Sequence, residues 1–217
     1  MNMFNLPART SVNRSVPKNA FDKYTNSKQK KSFTHYIQSI SWTNKLSKAT
    51  VNLSGKDIEE IQIFKIELKQ KIAIPKLLEI IDRAIPYYII FWLEYDGDAY
   101  ISTAAKHPHP TNDDIAVIDR TFISEWFKID NKPYVLNLKG TLDAVFKNLC
   151  VQLIERSDLE KESMNSILKN QQEEERLKKK IDRLKSAISK SNQFNEKVDL
   201  NIKLKMLETQ LNRIQGS

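Results

Sequence analysis

One apolar run, Tyr87–Leu93, lies between Pro86 and the turn Asp96-Gly97-Asp98. The proline ahead and the turn behind confine it to a single strand, Tyr87–Tyr95. Its lack of alternation means that both faces of that strand must be covered. Asp96-Gly97 is a favoured two-residue hairpin turn, so Tyr100–Ala105 follows as an antiparallel partner. The same run is too short to cross a bilayer, which takes about 20 residues. The fold is thus organised around a sheet with a doubly buried strand.

The elements around this hairpin follow from local patterns. Lys28–Ile37 predicts a short helix with Phe33, Tyr36, Ile37 and Ile40 on one side. Ile40–Leu46 and Thr50–Leu53 read as two short strands, and Glu60–Leu68 as a clearer one. In that last strand the apolar positions change parity between Ile63 and Phe64. A β-bulge would do this, and so would burial on both faces. Pro75 opens a helix, PKLLEIIDRAI, with proline tolerated in the first turn. KHPHPTNDD reads as a loop, and Thr121–Ile129 and Tyr134–Leu138 as further strands. From Thr141 the pattern turns helical, with Leu142, Val145, Phe146 and Leu149 able to dock on the sheet. Residues 1 to about 155 therefore predict an α+β domain, with a mixed or mainly antiparallel sheet and flanking helices.

Residues 156–217 have a different rhythm. Leu177, Ile181, Leu184 and Ile188 recur at steps of four, three and four, and Leu200, Leu204, Leu207, Leu211 and Ile214 at four, three, four and three. These are heptad seams. SNQF at 191–194 breaks them into two arms of about 30 Å each if helical. The expectation is an antiparallel, coiled-coil-like helical hairpin, whose arms pair with each other, with a second copy or with another protein.

Charge is unevenly placed. Residues 1–56 hold ten Lys/Arg and one acid, Asp22, whereas residues 57–150 hold eleven basic and fifteen acidic residues; the whole chain carries a formal +8. A basic segment on an acidic middle suits a polyanion such as nucleic acid. Solvation of the basic face, or its pairing with the acidic middle, is the plainer reading. Arg9, Arg14, Lys18, Lys28, Lys30, Lys31, Lys45 and Lys48 are the candidate contacts to nucleic acid or to a partner. Because Leu6, Val12, Val16, Phe21, Phe33 and Trp42 are interleaved with them, the segment should belong to the folded body.

Several chemistries fall away by counting. Four glycines, none clustered, exclude a phosphate-cradling loop and a dinucleotide fingerprint. The one cysteine, Cys150, lies in an apolar run and reads as a small buried hydrophobe. His107 and His109 stand two apart in HPHP, with Asp113 and Asp114 nearby, but a stiff proline-rich loop is the better reading and no metal site is expected. Trp42 and Trp126 could stack on bases, although packing at the sheet margin is the commoner role. The first residues hold no uninterrupted apolar stretch, so no secretory signal is expected, and a cytoplasmic protein with no resident cofactor is the expectation.

The sharpest catalytic pattern is Glu67-Leu68-Lys69. A carboxylate and a lysine at i and i+2 share one side of a strand. This is the second half of a PD-(D/E)xK nuclease site, in which the acid binds Mg²⁺ and the lysine stabilises charge at the phosphate. The order helix, three strands, helix, strand over residues 28–95 suits that fold. A second acid would have to come from Asp57 or Glu60.

Leu6-Pro7, Val16-Pro17-Lys18 with Phe21, Ile40-Ser41-Trp42 with Lys45-Leu46, Thr50-Val51-Asn52-Leu53, Glu60-Ile61-Gln62-Ile63 and Ile85-Pro86 with Ile90-Phe91 stand in an order that resembles a bacterial family, domain of unknown function forty-three ninety-one. The tail with KVDLNIKLKML is similar to an extension seen in many members. The resemblance implies a setting beside type III-like restriction-modification genes, with a helicase and a DNA methyltransferase as partners. It transfers no catalytic residue.

Together these readings predict a non-catalytic accessory protein of a restriction-modification or antiphage defence system, with a basic face for DNA or a large partner and a helical hairpin for docking. A Mg²⁺-dependent nuclease using Glu67 and Lys69 is the alternative, and a structural oligomerisation module the third reading.

Overall fold

A computed structural model of the chain describes residues 4–215, and their side chains except those of 112–114. The chain forms two compact units with the boundary after Glu160. The first is built on a seven-stranded sheet: β1 (Ser11–Ser15), β2 (Ile37–Ser47), β3 (Glu60–Leu68), β4 (Tyr88–Tyr95), β5 (Asp98–His109), β6 (Asn112–Ile123) and β7 (Phe127–Lys128). The order is β1-β2-β3-β4-β5-β6, with β7 continuing along β5. Only β3 and β4 are parallel; every other pair is antiparallel. Helix α3 (Pro75–Ala84) makes the crossover between them, as a parallel pair requires.

The hairpin that anchors the sequence reading is present. Asp96 and Gly97 both have positive φ, 45° and 77°, the geometry of a type I′ turn. β4 lies between β3 and β5. Ile89, Phe91 and Leu93 face α3 with Phe64, Ile66 and Leu68. Tyr88 points to the other face, where its ring meets Phe146 of α4 (Leu142–Leu153) at 4.7 Å. Two-sided burial also explains the parity change at Ile63-Phe64. β3 runs beside β4 without interruption, and the bulge lies in β2, where Thr43 is the extra residue between Trp42↔Phe64 and Asn44↔Ile63.

Four local expectations are corrected. Thr50–Leu53 is not a strand: Lys48–Val51 forms one helical turn, α2, because the Thr50 hydroxyl turns back to accept from Ser47 N–H and donate to Lys45 O. Residues 28–95 thus hold one strand fewer than the nuclease order needs. The HPHP segment is strand, with β5 running to His109 and β6 starting at Asn112. The strand expected at Thr121–Ile129 breaks after Ile123, where Ser124 N–H donates to Ile101 O and the Ser124 hydroxyl accepts from Ile101 N–H. Tyr134–Leu138 lies outside the sheet; Val135 pairs instead with the Gln152 amide, which accepts from its N–H and donates to its C=O, both at 3.0 Å.

The N-terminal segment is part of the body. Phe4 and Leu6 are buried, the Phe4 ring meets Trp92 edge-on at 5.4 Å, and β1 pairs with β2. Cys150 is buried, and burial holds its thiol well above the ordinary pKa.

The second unit is an antiparallel pair, α5 (Met164–Lys190) and α6 (Phe194–Gln215). Lys185 and Glu208 pair across it at 3.3 Å, and Gln215 donates to Glu174. Leu177 and Ile181 are buried; Leu184, Ile188, Leu200, Leu204, Leu207, Leu211 and Ile214 are half-buried. Among the described residues no helix is long and apolar enough to cross a membrane.

Candidate nucleic-acid interface

Helix α1 (Ser27–Tyr36) starts at a reciprocal cap: Asn26 accepts from Gln29 N–H, and the Gln29 side chain accepts from Asn26 N–H. Such a cap fixes where the helix begins. Phe33 anchors it, buried and stacked on Phe21 at 6.0 Å. This orientation sends Lys28, Lys30, Lys31 and His35 outward, all four exposed. At the far end Lys69 N–H donates to Tyr36 O, and its ammonium donates to Thr34 O at 2.8 Å. A cation on a last-turn carbonyl suits a helix C-terminus.

The result is an open cleft of about 750 Å³ lined by Lys30, Lys31, Thr34, His35, Lys69 and Gln70. A smaller one of about 360 Å³, which includes Lys18 and Asp22, shares Lys30 and Thr34 with it. Lys30 pairs with Asp22 at 3.1 Å. Lys28 and Lys31 have no carboxylate partner among the described residues. Three ammonium groups and an imidazole therefore share one concavity, and no carboxylate lines the larger cleft.

The other candidate cations are placed differently. Lys18 donates to Ile37 O and Gln38 O at 3.2 and 3.4 Å, fastening the N-terminal segment to β2. Lys45 pairs with the buried Glu60 at 2.5 Å. Arg14 is exposed on β1, the edge strand, and Arg9 and Lys48 are exposed on the packed pair formed by the Ala8–Thr10 turn and α2.

Glu67 and Lys69 are engaged by different partners, Glu67 by Ser39 and Lys65 and the Lys69 ammonium by Thr34 O. The Glu67 carboxylate accepts from Ser39 Oγ at 2.8 Å and lies 3.3 Å from Lys65; with Ser39 contributing most, its pKa is lowered. Burial works against the charge of Lys65, but Glu94 and Glu67 more than offset it and its pKa rises. Glu60 is held by Lys45 and Gln62. At Asp57 it is the backbone N–H that is engaged, by Asp143. Among the described residues no three His, Cys, Asp or Glu side chains group to hold a metal ion. His107 pairs with Asp119 at 3.0 Å, while the His109 ring accepts from Thr111 N–H; the side chains of Asp113 and Asp114 lie outside the described residues. Trp42 and Trp126 pack at the margin of the core.

The sequence pattern places Lys69 in the alternative catalytic pair and gives His35 no site role. The readable signal was the apolar face of α1: once Phe33 points inward, Lys31 and His35, four apart, must share the outer side.

The sequence pattern of a family described as Domain of unknown function (DUF4391) matches residues 4–211. The chain belongs to this family. The match runs across both compact units of this DUF4391 chain, so the helical pair is included in it. No curated protein and no solved structure matches the chain.

Proposed function

We propose that this DUF4391 protein is a non-catalytic accessory component of a bacterial restriction-modification or antiphage defence system. In this reading the cleft beside α1 holds the phosphate backbone of DNA, and the helical pair docks a helicase or methyltransferase. The observation that carries the DNA role is the gathering of Lys30, Lys31, Lys69 and His35 in one cleft without a carboxylate in its lining. Phosphate contacts of this kind position a duplex without reading its sequence. The setting and the identity of the partners rest on the family resemblance.

The test is fluorescence anisotropy with a labelled DNA duplex over a salt series. Binding should weaken steeply with salt, and Lys31→Glu with Lys69→Glu should lower affinity at least tenfold and reduce the slope by about 2, at about 0.9 per phosphate contact. No binding at low salt ends the DNA role. Mg²⁺-dependent cleavage of the same duplex, lost in Glu67→Gln and Lys69→Ala, would replace the accessory reading with a nuclease.

A further inference from the structure

The seam between α5 and α6 is closed unevenly. Leu177 and Ile181 are buried, but no residue of α6 is. Midway along the pair the two helices leave an open groove of about 430 Å³. Leu184, Met206 and Leu207 supply its apolar surface; Lys180 and Arg183 from α5 and Lys203 from α6 supply its charge. Met206 is 61% exposed. An unbranched thioether in an open groove is an adaptable contact surface.

A row of exposed apolar side chains leads into this groove. Phe194, Val198, Ile202 and Met206 are all exposed and lie four apart on α6. At 3.6 residues per turn each step of four drifts by about 40°. The row therefore winds about a third of a turn around α6 and ends at Met206. It is a second apolar surface, distinct from the leucine seam.

The charge pattern selects the occupant. Arg176, Lys178 and Lys185 each pair with a glutamate, Glu173, Glu174 and Glu208 respectively. Lys180, Arg183 and Lys203 have no carboxylate partner among the described residues, and no acid lines the groove. A second copy seated here about a two-fold axis would set this cationic patch against itself. Bare phosphate would meet the basic rim but leave the apolar residues uncovered. A segment that satisfies both is a helix with an apolar stripe flanked by Asp and Glu.

We infer that the groove between α5 and α6 is the docking site for an acidic amphipathic helix of the protein partner. This rests on the docking role proposed above and specifies its seat. From Lys203 to Gln210 the groove follows about 10 Å of α6, room for about two helical turns.

The test uses the full chain and a labelled helical peptide with Leu at i, i+3, i+4 and i+7 and Glu on the flanks. Saturable one-to-one binding is expected, at least tenfold weaker in Lys180→Glu with Lys203→Glu and in Met206→Glu, with helical content by circular dichroism unchanged. A peptide with Lys flanks, or the same residues scrambled, should not bind. Equal binding of all three peptides overturns the assignment. So does a dimer in sedimentation that Met206→Glu dissociates, since a second copy then fills the groove. Lys31→Glu with Lys69→Glu should leave peptide binding unchanged. A helicase or methyltransferase that co-purifies alike with wild type and with Lys180→Glu with Lys203→Glu overturns the groove and leaves the docking role standing. Failure to co-purify with wild type removes the docking role on which the groove assignment rests.

Discussion

Lys106 on β5 is 4% exposed, yet its ammonium has three partners: Asp82 O at 2.7 Å, Ile85 O at 2.8 Å and Asp82 Oδ1 at 3.1 Å. The lysine therefore ties the C-terminal carbonyls of α3 to the sheet. Burial lowers the Lys106 pKa, with Asp82 opposing, and pushes Asp82 up to about 6, with Lys106 opposing. Removing one member of such a pair leaves the other charge buried and costs about 3–5 kcal/mol. Lys106→Met should lose that much in urea unfolding near pH 8. The sign of the pH dependence follows from Asp82. A carboxyl whose folded pKa exceeds its ordinary 3.8 contributes stability that is complete below about pH 4 and lost as pH rises through about 6. The Lys106→Met penalty should accordingly be smaller at pH 5 than at pH 8, and a penalty independent of pH would contradict this account. A second position is constrained by space. A Cβ on Gly55 would stand 2.0 Å from Ile58 O and 2.7 Å from Asp143 Oδ2. That carboxylate accepts the backbone N–H groups of Lys56, Asp57 and Ile58 at 2.7–3.2 Å. Gly55→Ala should cost about 1–3 kcal/mol, the range for overpacking, measured as a lower urea midpoint with unchanged slope.

At the scale of elements, period and punctuation found what local sequence controls. α1, α3, β3 and the Asp96-Gly97 hairpin stand where spacing, proline and turn residues put them, and heptads marked both arms of the helical pair. Misreadings occurred where a side chain took a backbone's role. Thr50 has a strand-forming side chain, but its hydroxyl closes a turn. Tyr134–Leu138 has strand residues but no strand partner, because Gln152 sits beside it and presents one amide in place of a ladder. Nothing in Tyr134–Leu138 announces a partner lying elsewhere in the chain. The candidate cleft was legible in part for the same reason. Lys30 and Lys31 stand out as local charge, whereas Lys69 joins them through tertiary bonds to Tyr36 O and Thr34 O. Gln152→Leu should therefore raise the hydrogen-exchange rate of the Val135 amide at least tenfold while leaving β5 amides such as Ile101 protected.

At the scale of the molecule, the basic excess of residues 1–56 is carried on a fixed surface. β1 lies at the edge of the sheet and shows Arg14 to solvent, a charge that discourages another chain from extending that edge. The first six strands hold another consequence. Their order in space copies their order in the chain, β1 through β6. No strand has to enter between two that are already paired. A polypeptide leaving the ribosome can thus assemble this sheet by accretion, each new strand meeting the last one laid down. The interior pair β3-β4 is the one step of that growth that must wait for a helix to be made between its members.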